Sequence, residues 1–207
     1  MILAIDTSIG TAVALVDDDG HTVAERLSAD TRGHAEAIGG LLAGVLSDAG
    51  LGPEAVSAVA VGVGPGPFTG LRVGIAAARA FATARGVPVL PVPSHEAVAA
   101  ALAERGQTGR VVIVTDARRR EHYWTVVELG DPIHAVAGPG LTALEQLAEV
   151  AGIGGEVPRH EPTEVSAAAL ARCALRQRAA GSLGSGEPLY LREPDVTPSR
   201  GPKRVTG

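Results

Sequence analysis

The chain has one lysine, Lys203, in 207 residues. A Walker A loop sets a lysine on the nucleotide phosphates, so that loop is excluded everywhere except beside Lys203, where no such glycine pattern occurs. There is one cysteine, Cys173, which excludes an internal disulfide, and its place in an alanine-rich run predicts a small buried residue. Aromatic residues make up only 2% of a chain that is 45% hydrophobic. The core must therefore be built from Val, Leu, Ile and Ala, in closely spaced layers. A net charge of −5 argues against stand-alone nucleic-acid binding. No apolar run approaches the roughly 18 residues of a membrane span. Met1 opens directly into an apolar strand, so no signal peptide is expected and a soluble, cytoplasmic protein is. The metalloprotease pattern H-E-x-x-H and the nucleophile elbow G-x-S-x-G are both missing, which leaves little for a protease reading.

What is present is an alternation of apolar strands and small-residue helices. Strands are predicted at Ile2–Ile5, Thr11–Val16 and His21–Leu27, with a turn after Asp6 and a sharper one at Asp17–Gly20. A helix follows over His34–Ala49, stopped by Gly50. Its apolar positions Ile38, Leu41, Leu42, Val45 and Leu46 fall at helical spacing. Next come a strand at Val59–Val63, a Gly/Pro loop over Gly64–Phe68 and a helix from about Thr69 to Arg85. Val87–Val92 reads as a strand, and Ser94 as the N-cap of a helix over His95–Arg105. The opening pattern then returns: strand Val111–Val114, aspartate Asp116, polar turn Ala117–Arg120, strand Glu121–Leu129. Beyond it the pattern predicts a short helix over Leu141–Val150, a Gly/Pro-rich connection over Gly152–Glu164 and a helix over Ser166–Ala180 capped by Ser166. A short strand at Leu189–Leu191 and a proline-bearing tail from Glu193 complete the reading. The basic spots Arg118–Arg120 and Arg200, Lys203, Arg204 read as a solvated turn and tail.

The Gly/Pro loop and its helix carry the most information. A glycine-rich turn feeding a helix N-terminus can receive an anion, because the first helical N–H groups lack partners. The same loop can equally be a tight turn before a closely packed helix. On that helix Gly70, Gly74, Ala77 and Phe81 share one face. Each interior glycine costs about 1 kcal/mol of helix propensity relative to alanine, so two on one stripe indicate that another backbone comes close. A second stripe carries Arg72, Ala76, Arg79 and Thr83.

Four segments together resemble the TsaB (YeaZ) family: ILAIDTS at 2–8, GVGPGPFTGLRVGIAAARAFA at 62–82, DARRREHYW at 116–124 and PLYLREPDV at 188–196. They keep the family's order and span nearly the whole chain. The resemblance implies an α/β, two-lobed actin/sugar-kinase-like (ASKHA) fold, each lobe a mixed sheet flanked by helices. The lobes would be residues 1–93, bearing the partner-binding helices, and 94–192, with 193–207 as a tail. It implies a non-catalytic scaffold subunit that supports TsaD in transferring a threonylcarbamoyl group to the adenosine beside the tRNA anticodon. TsaE joins in a larger complex, tRNA is engaged only indirectly, and a homodimer is the alternative assembly. No cofactor is expected on this chain alone, with ATP or ADP reserved for the complex interface.

The resemblance also directs attention to particular residues. TsaD-type enzymes hold a metal through two histidines one helical turn apart. Here His34 is followed at i+4 by Ile38, and no other two of the six histidines have that spacing, so no metal site is expected. The partner-binding candidates are His34, Gly40, Gly44, Thr69, Gly70, Arg72, Gly74, Ala77 and Arg79. Asp6, Thr7, Ser8 and Asp116 occupy the positions that face phosphates in kinase members of the fold. Two readings stay open for them: turn caps, or the Mg-ATP site of an ATPase or kinase.

Overall fold

A computed structural model describes residues 1–154 and 157–192. The predicted tail, with Arg200, Lys203 and Arg204, lies outside the described residues. The first sheet has the order β3-β2-β1-β4-β5, formed by β1 (Ile2–Asp6), β2 (Thr11–Val16), β3 (Thr22–Ser28), β4 (Ala58–Gly62) and β5 (Val89–Val92). β1, β2 and β3 pair antiparallel, while β4 and β5 join β1 in parallel. The second sheet has the order β8-β7-β6-β9, from β6 (Gly109–Asp116), β7 (Glu121–Leu129), β8 (His134–Ala143) and β9 (Arg159–His160). It repeats the mixture, with an antiparallel hairpin and a parallel edge.

Among the described residues five α-helices cover these sheets: α1 (His34–Ala49), α2 (Phe68–Arg85), α3 (Ser94–Glu104), α4 (Leu147–Val150) and α5 (Ala167–Ala180). The strand period of two decides which core each residue joins. Along β1, Ile2 and Ala4 turn to a core shared with α3 and α5, whereas Leu3 and Ile5 turn to a core shared with α1 and α2. The central core also takes Val111, Ile113, Val127 and Leu129 from the second sheet, so α3 and α5 form a layer between the two sheets. The sheet face under α5 is mostly alanine (Ala4, Ala12, Ala14, Ala58, Ala60), and α5 is itself alanine-rich. Small residues on both sides allow close approach, which is how a core with so few aromatics is filled. α4 closes the outer face of the second sheet over Val112, Val114, Trp124 and Val126.

Local signals explain most boundaries. Gly50 and Gly86 end α1 and α2 in the left-handed conformation, at φ 63° and 66°, that glycine adopts without a Cβ penalty. Ser166 caps α5, its Oγ accepting from Ala169 N at 3.1 Å and donating to Glu25 Oε1 at 3.0 Å. Ser166→Ala is expected to cost about 1 kcal/mol, read as a lower urea midpoint with unchanged slope.

Three expectations need correction. Ser94 is not an N-cap: Pro93 holds that position, and the Ser94 hydroxyl is engaged with Asp6 and Gly64 instead. The helix expected from Leu141 begins only at Leu147, because β8 runs on to Ala143 and pairs with β7. Leu189–Leu191 is not a strand; it touches the first sheet's end through one bond, Leu189 N to Val63 O at 2.8 Å. In the Gly/Pro-rich connection, β9 adds a two-residue parallel edge beside β6.

Candidate functional site

The first hairpin brings Asp6, Thr7 and Ser8 to the end of β1, and all three are buried. Asp6 Oδ1 accepts from Ser8 N at 2.8 Å and Ser8 Oγ at 2.6 Å. Its Oδ2 accepts from Ser94 Oγ at 2.6 Å, and that hydroxyl in turn accepts from Gly64 N at 3.2 Å. Both oxygens are thus used inside the chain, and Asp6 is only 1% exposed. Burial pushes its carboxyl above the ordinary value, a rise partly offset by the two serines. The network ties the β1 turn, the Gly/Pro loop and the start of α3 into one knot. Asp6 is a turn cap here, sealed from solvent. Thr7 Oγ1 donates to Gly70 O at 2.8 Å, fastening the same turn to the first turn of α2.

The second hairpin repeats the cap but not the burial. Asp116 Oδ1 accepts from Arg118 N at 2.9 Å, the same i to i+2 bond that Asp6 makes with Ser8. Asp116 itself is exposed. Arg118, Arg119 and Arg120 all sit in the left-handed region, at φ 66°, 56° and 64°. A cleft of about 400 Å³ separates this hairpin from the α2 N-terminus, lined by Gly66, Thr69, Arg118, Arg119, Tyr123 and Arg192 among others.

The stripe residues of α1 and α2 divide into two groups. His34, Gly44, Gly70 and Gly74 are buried within the chain. His34 Nδ1 lies 2.8 Å from Thr11 Oγ1. A Cβ on Gly70 would stand 2.7 Å from Thr7 O, and one on Gly74 would overlap the Thr7 hydroxyl. The backbone that comes close to α2 is therefore the chain's own β1–β2 turn. Gly44 lies under the Arg26 guanidinium, which pairs with Asp48 at 2.6 Å.

The second group faces outward. On α1, Ala35, Gly39, Ala43 and Ser47 recur every fourth residue and are exposed, with Gly40 beside them. Among the described residues, beyond the neighbouring residues and the helix's own backbone, no atom lies within 4 Å of a Cβ built on Gly39 or Gly40. On α2, Thr69, Arg72, Ala76, Arg79 and Ala80 are exposed and Ala77 is half-buried. Both arginines are held by the segment after α5. Arg72 stacks on Phe68 at 3.8 Å with its Nε 3.4 Å from Tyr190 Oη, and Arg79 donates to Gly186 O at 3.4 Å. Nothing in the helical periodicity signals this strap, because its partners lie more than a hundred residues apart.

Among the described residues, one His/Cys/Asp/Glu trio is close enough to share an ion: Asp17, Asp19 and His21 on the exposed β2–β3 turn. It lies on neither hairpin. Sequence reasoning missed His95, a fully buried histidine between Thr115 and Thr125, since the S-H pair at the start of α3 read only as a cap.

Comparison with known proteins places this architecture. The profile of the family described as TsaD: tRNA N6-adenosine threonylcarbamoyltransferase matches residues 23–178, and the chain belongs to that family. Within it, the chain is a TsaB/YeaZ member. An uncharacterized protein of Mycobacterium tuberculosis is 38% identical over 209 residues, covering 95% of this chain and 94% of that protein. The tRNA threonylcarbamoyladenosine biosynthesis protein TsaB of Haemophilus influenzae is 38% identical over 127 residues, covering 61% of this chain and 53% of that protein. The crystal structure of YeaZ from Pseudomonas aeruginosa superposes with a TM-score of 0.77 at 25% identity, over 92% of this chain and 99% of that one. Among the described residues no helix is long and apolar enough to cross a membrane.

Proposed function

We propose that this chain is a cytoplasmic, non-catalytic subunit that binds a TsaD-type transferase and supports threonylcarbamoyl transfer to tRNA adenosine. TsaE would join the complex, and ATP or ADP would bind at the complex interface. In this reading the two sheets are the lobes of an actin/sugar-kinase-like fold, divided near residue 93. The observation that carries the proposal is the exposed small-residue face of α1, Ala35, Gly39, Ala43 and Ser47 with Gly40. Exposed glycines cost helix propensity and gain nothing within the chain, but they let a partner helix approach closely. The relatives named TsaB support the pathway. The ATPase reading requires Asp6 to reach a bound metal or phosphate, and its oxygens are already committed to Ser8 and Ser94.

The test is light scattering on this chain mixed with the TsaD-type protein of its own organism. The expected result is a defined heterocomplex that Gly40→Leu weakens at least about tenfold, a hot-spot-sized effect. The open space around Gly40 leaves the monomer folded, and its melting temperature should hold or rise. Wild-type affinity in both Gly40→Leu and Ala43→Glu would overturn the assignment of this face. Steady ATP turnover by the isolated chain, abolished in Asp6→Asn, would overturn the non-catalytic reading.

A further inference from the structure

On the opposite side of the sheet from α1 and α2, a groove of about 710 Å³ opens between α3, α5 and the β7–β8 turn. Its size suits a small molecule. Glu96 lines it, with Oε2 accepting from Gln177 Nε2 at 2.6 Å. The other end of that amide, Gln177 Oε1, is buried and receives no hydrogen bond. Buried polar groups are nearly always satisfied, so this pair is one donor short. Among the described residues Glu96 has no ion-pair partner, and burial pushes its carboxyl above the ordinary value. A cation in the groove would supply the counter-charge that the Glu96 carboxylate lacks.

The surrounding charges are mixed, with Arg176 lining the groove beside the acids. Glu104 and Asp131 also line the groove; Glu104 is held by Arg172 through two bonds of 2.7 Å, and Asp131 is exposed at the mouth. The Arg176 guanidinium donates to Cys173 Sγ at 3.2 Å, and His134 Nδ1 lies 3.1 Å from Pro132 O. Neither is hydrogen-bonded to Glu96. The walls beside the acid are apolar, formed by Ala100, Ala103 and Ile133.

We propose that this groove binds a small aliphatic amine, its ammonium on the Glu96 carboxylate and its alkyl chain along Ala100, Ala103 and Ile133. The ammonium carries three donors and can bond the Glu96 carboxylate while Gln177 Nε2 keeps its own bond to Oε2. The proposal is independent of the α1 face and of any partner.

The test is titration calorimetry of the full chain with n-butylamine and putrescine, and with n-butanol as the uncharged control. Saturable binding of the amines is expected, with n-butanol not bound. Glu96→Gln should weaken amine binding by about 10- to 100-fold, the worth of a charged hydrogen bond. Ala103→Phe, which narrows the groove from a half-buried wall and leaves Glu96 in place, should weaken it as well. Absence of saturable amine binding would mean that water alone fills the groove and overturn the proposal. So would equal binding of n-butanol, or unchanged amine affinity in both variants.

Discussion

Gly62→Ala is expected to cost about 3–5 kcal/mol, enough to leave a domain of ordinary stability largely unfolded in mild urea. Gly62 ends β4 beneath the first hairpin. A Cβ there would overlap Asp6 Oδ2, and would stand 2.8 Å from Asp6 Cγ and 2.9 Å from Ser94 Oγ. A surface side chain would swing aside, but Asp6 cannot. Its carboxylate is held by Ser8 N, Ser8 Oγ and Ser94 Oγ, and moving it leaves those donors buried without a partner. The added methyl therefore meets overpacking and a broken polar network together. The same chemical change at Gly39 should have the opposite sign: its Cβ meets nothing within 4 Å, so Gly39→Ala should stabilise by up to about 1 kcal/mol. Equilibrium urea unfolding of both variants checks the pair, and a loss at Gly62 below about 1 kcal/mol would contradict the account of a sealed hairpin.

This contrast also shows what the sequence makes legible. Glycines at 39, 40, 44, 62, 70 and 74 look alike in the string, and spacing alone groups Gly70 and Gly74 as a surface for a close neighbour. Close approach was a sound inference, since only a missing side chain explains such costly positions. Which backbone approaches is a matter of tertiary structure: at Gly70 and Gly74 it is Thr7, while Gly39 and Gly40 stay open. The strands of both hairpins and the limits of α1 follow from local periodicity and from Gly50, and they were readable. β8 was not, because its sequence HAVAGPGLTA breaks alternation with glycines and a proline. Those glycines make room for Trp124, whose ring lies where a Cβ on Gly140 would project. That requirement comes from a residue across the sheet. Ser94 misled for a similar reason: serine before a helix is a good cap by local rules, but a buried carboxylate 88 residues earlier competes for its hydroxyl.

Acid lability is the second large expected effect, and it comes from His95. This histidine starts α3 and is 1% exposed, with Nδ1 2.8 Å from Thr125 Oγ1 and Nε2 3.1 Å from Thr115 Oγ1. The two threonines satisfy a neutral imidazole, which has one donor and one acceptor. Burial pushes the imidazole down from 6.5 to about 3. The unfolded chain therefore takes up a proton below the ordinary histidine value while the folded chain does not. Stability from this group is complete above about pH 6.5 and falls as the pH is lowered toward about 3, by about 4–5 kcal/mol in all. Asp6 acts in the opposite sense: its raised pKa makes the folded state the better proton acceptor, so its contribution grows on acidification and is lost as the pH rises through the folded value. The two separate in a variant. His95→Gln keeps one donor and one acceptor but cannot titrate, while Asp6 is unchanged in both proteins. Urea midpoints measured from about pH 7 to about pH 4 should fall for the wild type by close to one proton's slope relative to His95→Gln. Parallel curves for the two proteins would show that the folded imidazole takes up its proton as readily as the unfolded one, and would overturn the account of a histidine buried neutral between Thr115 and Thr125.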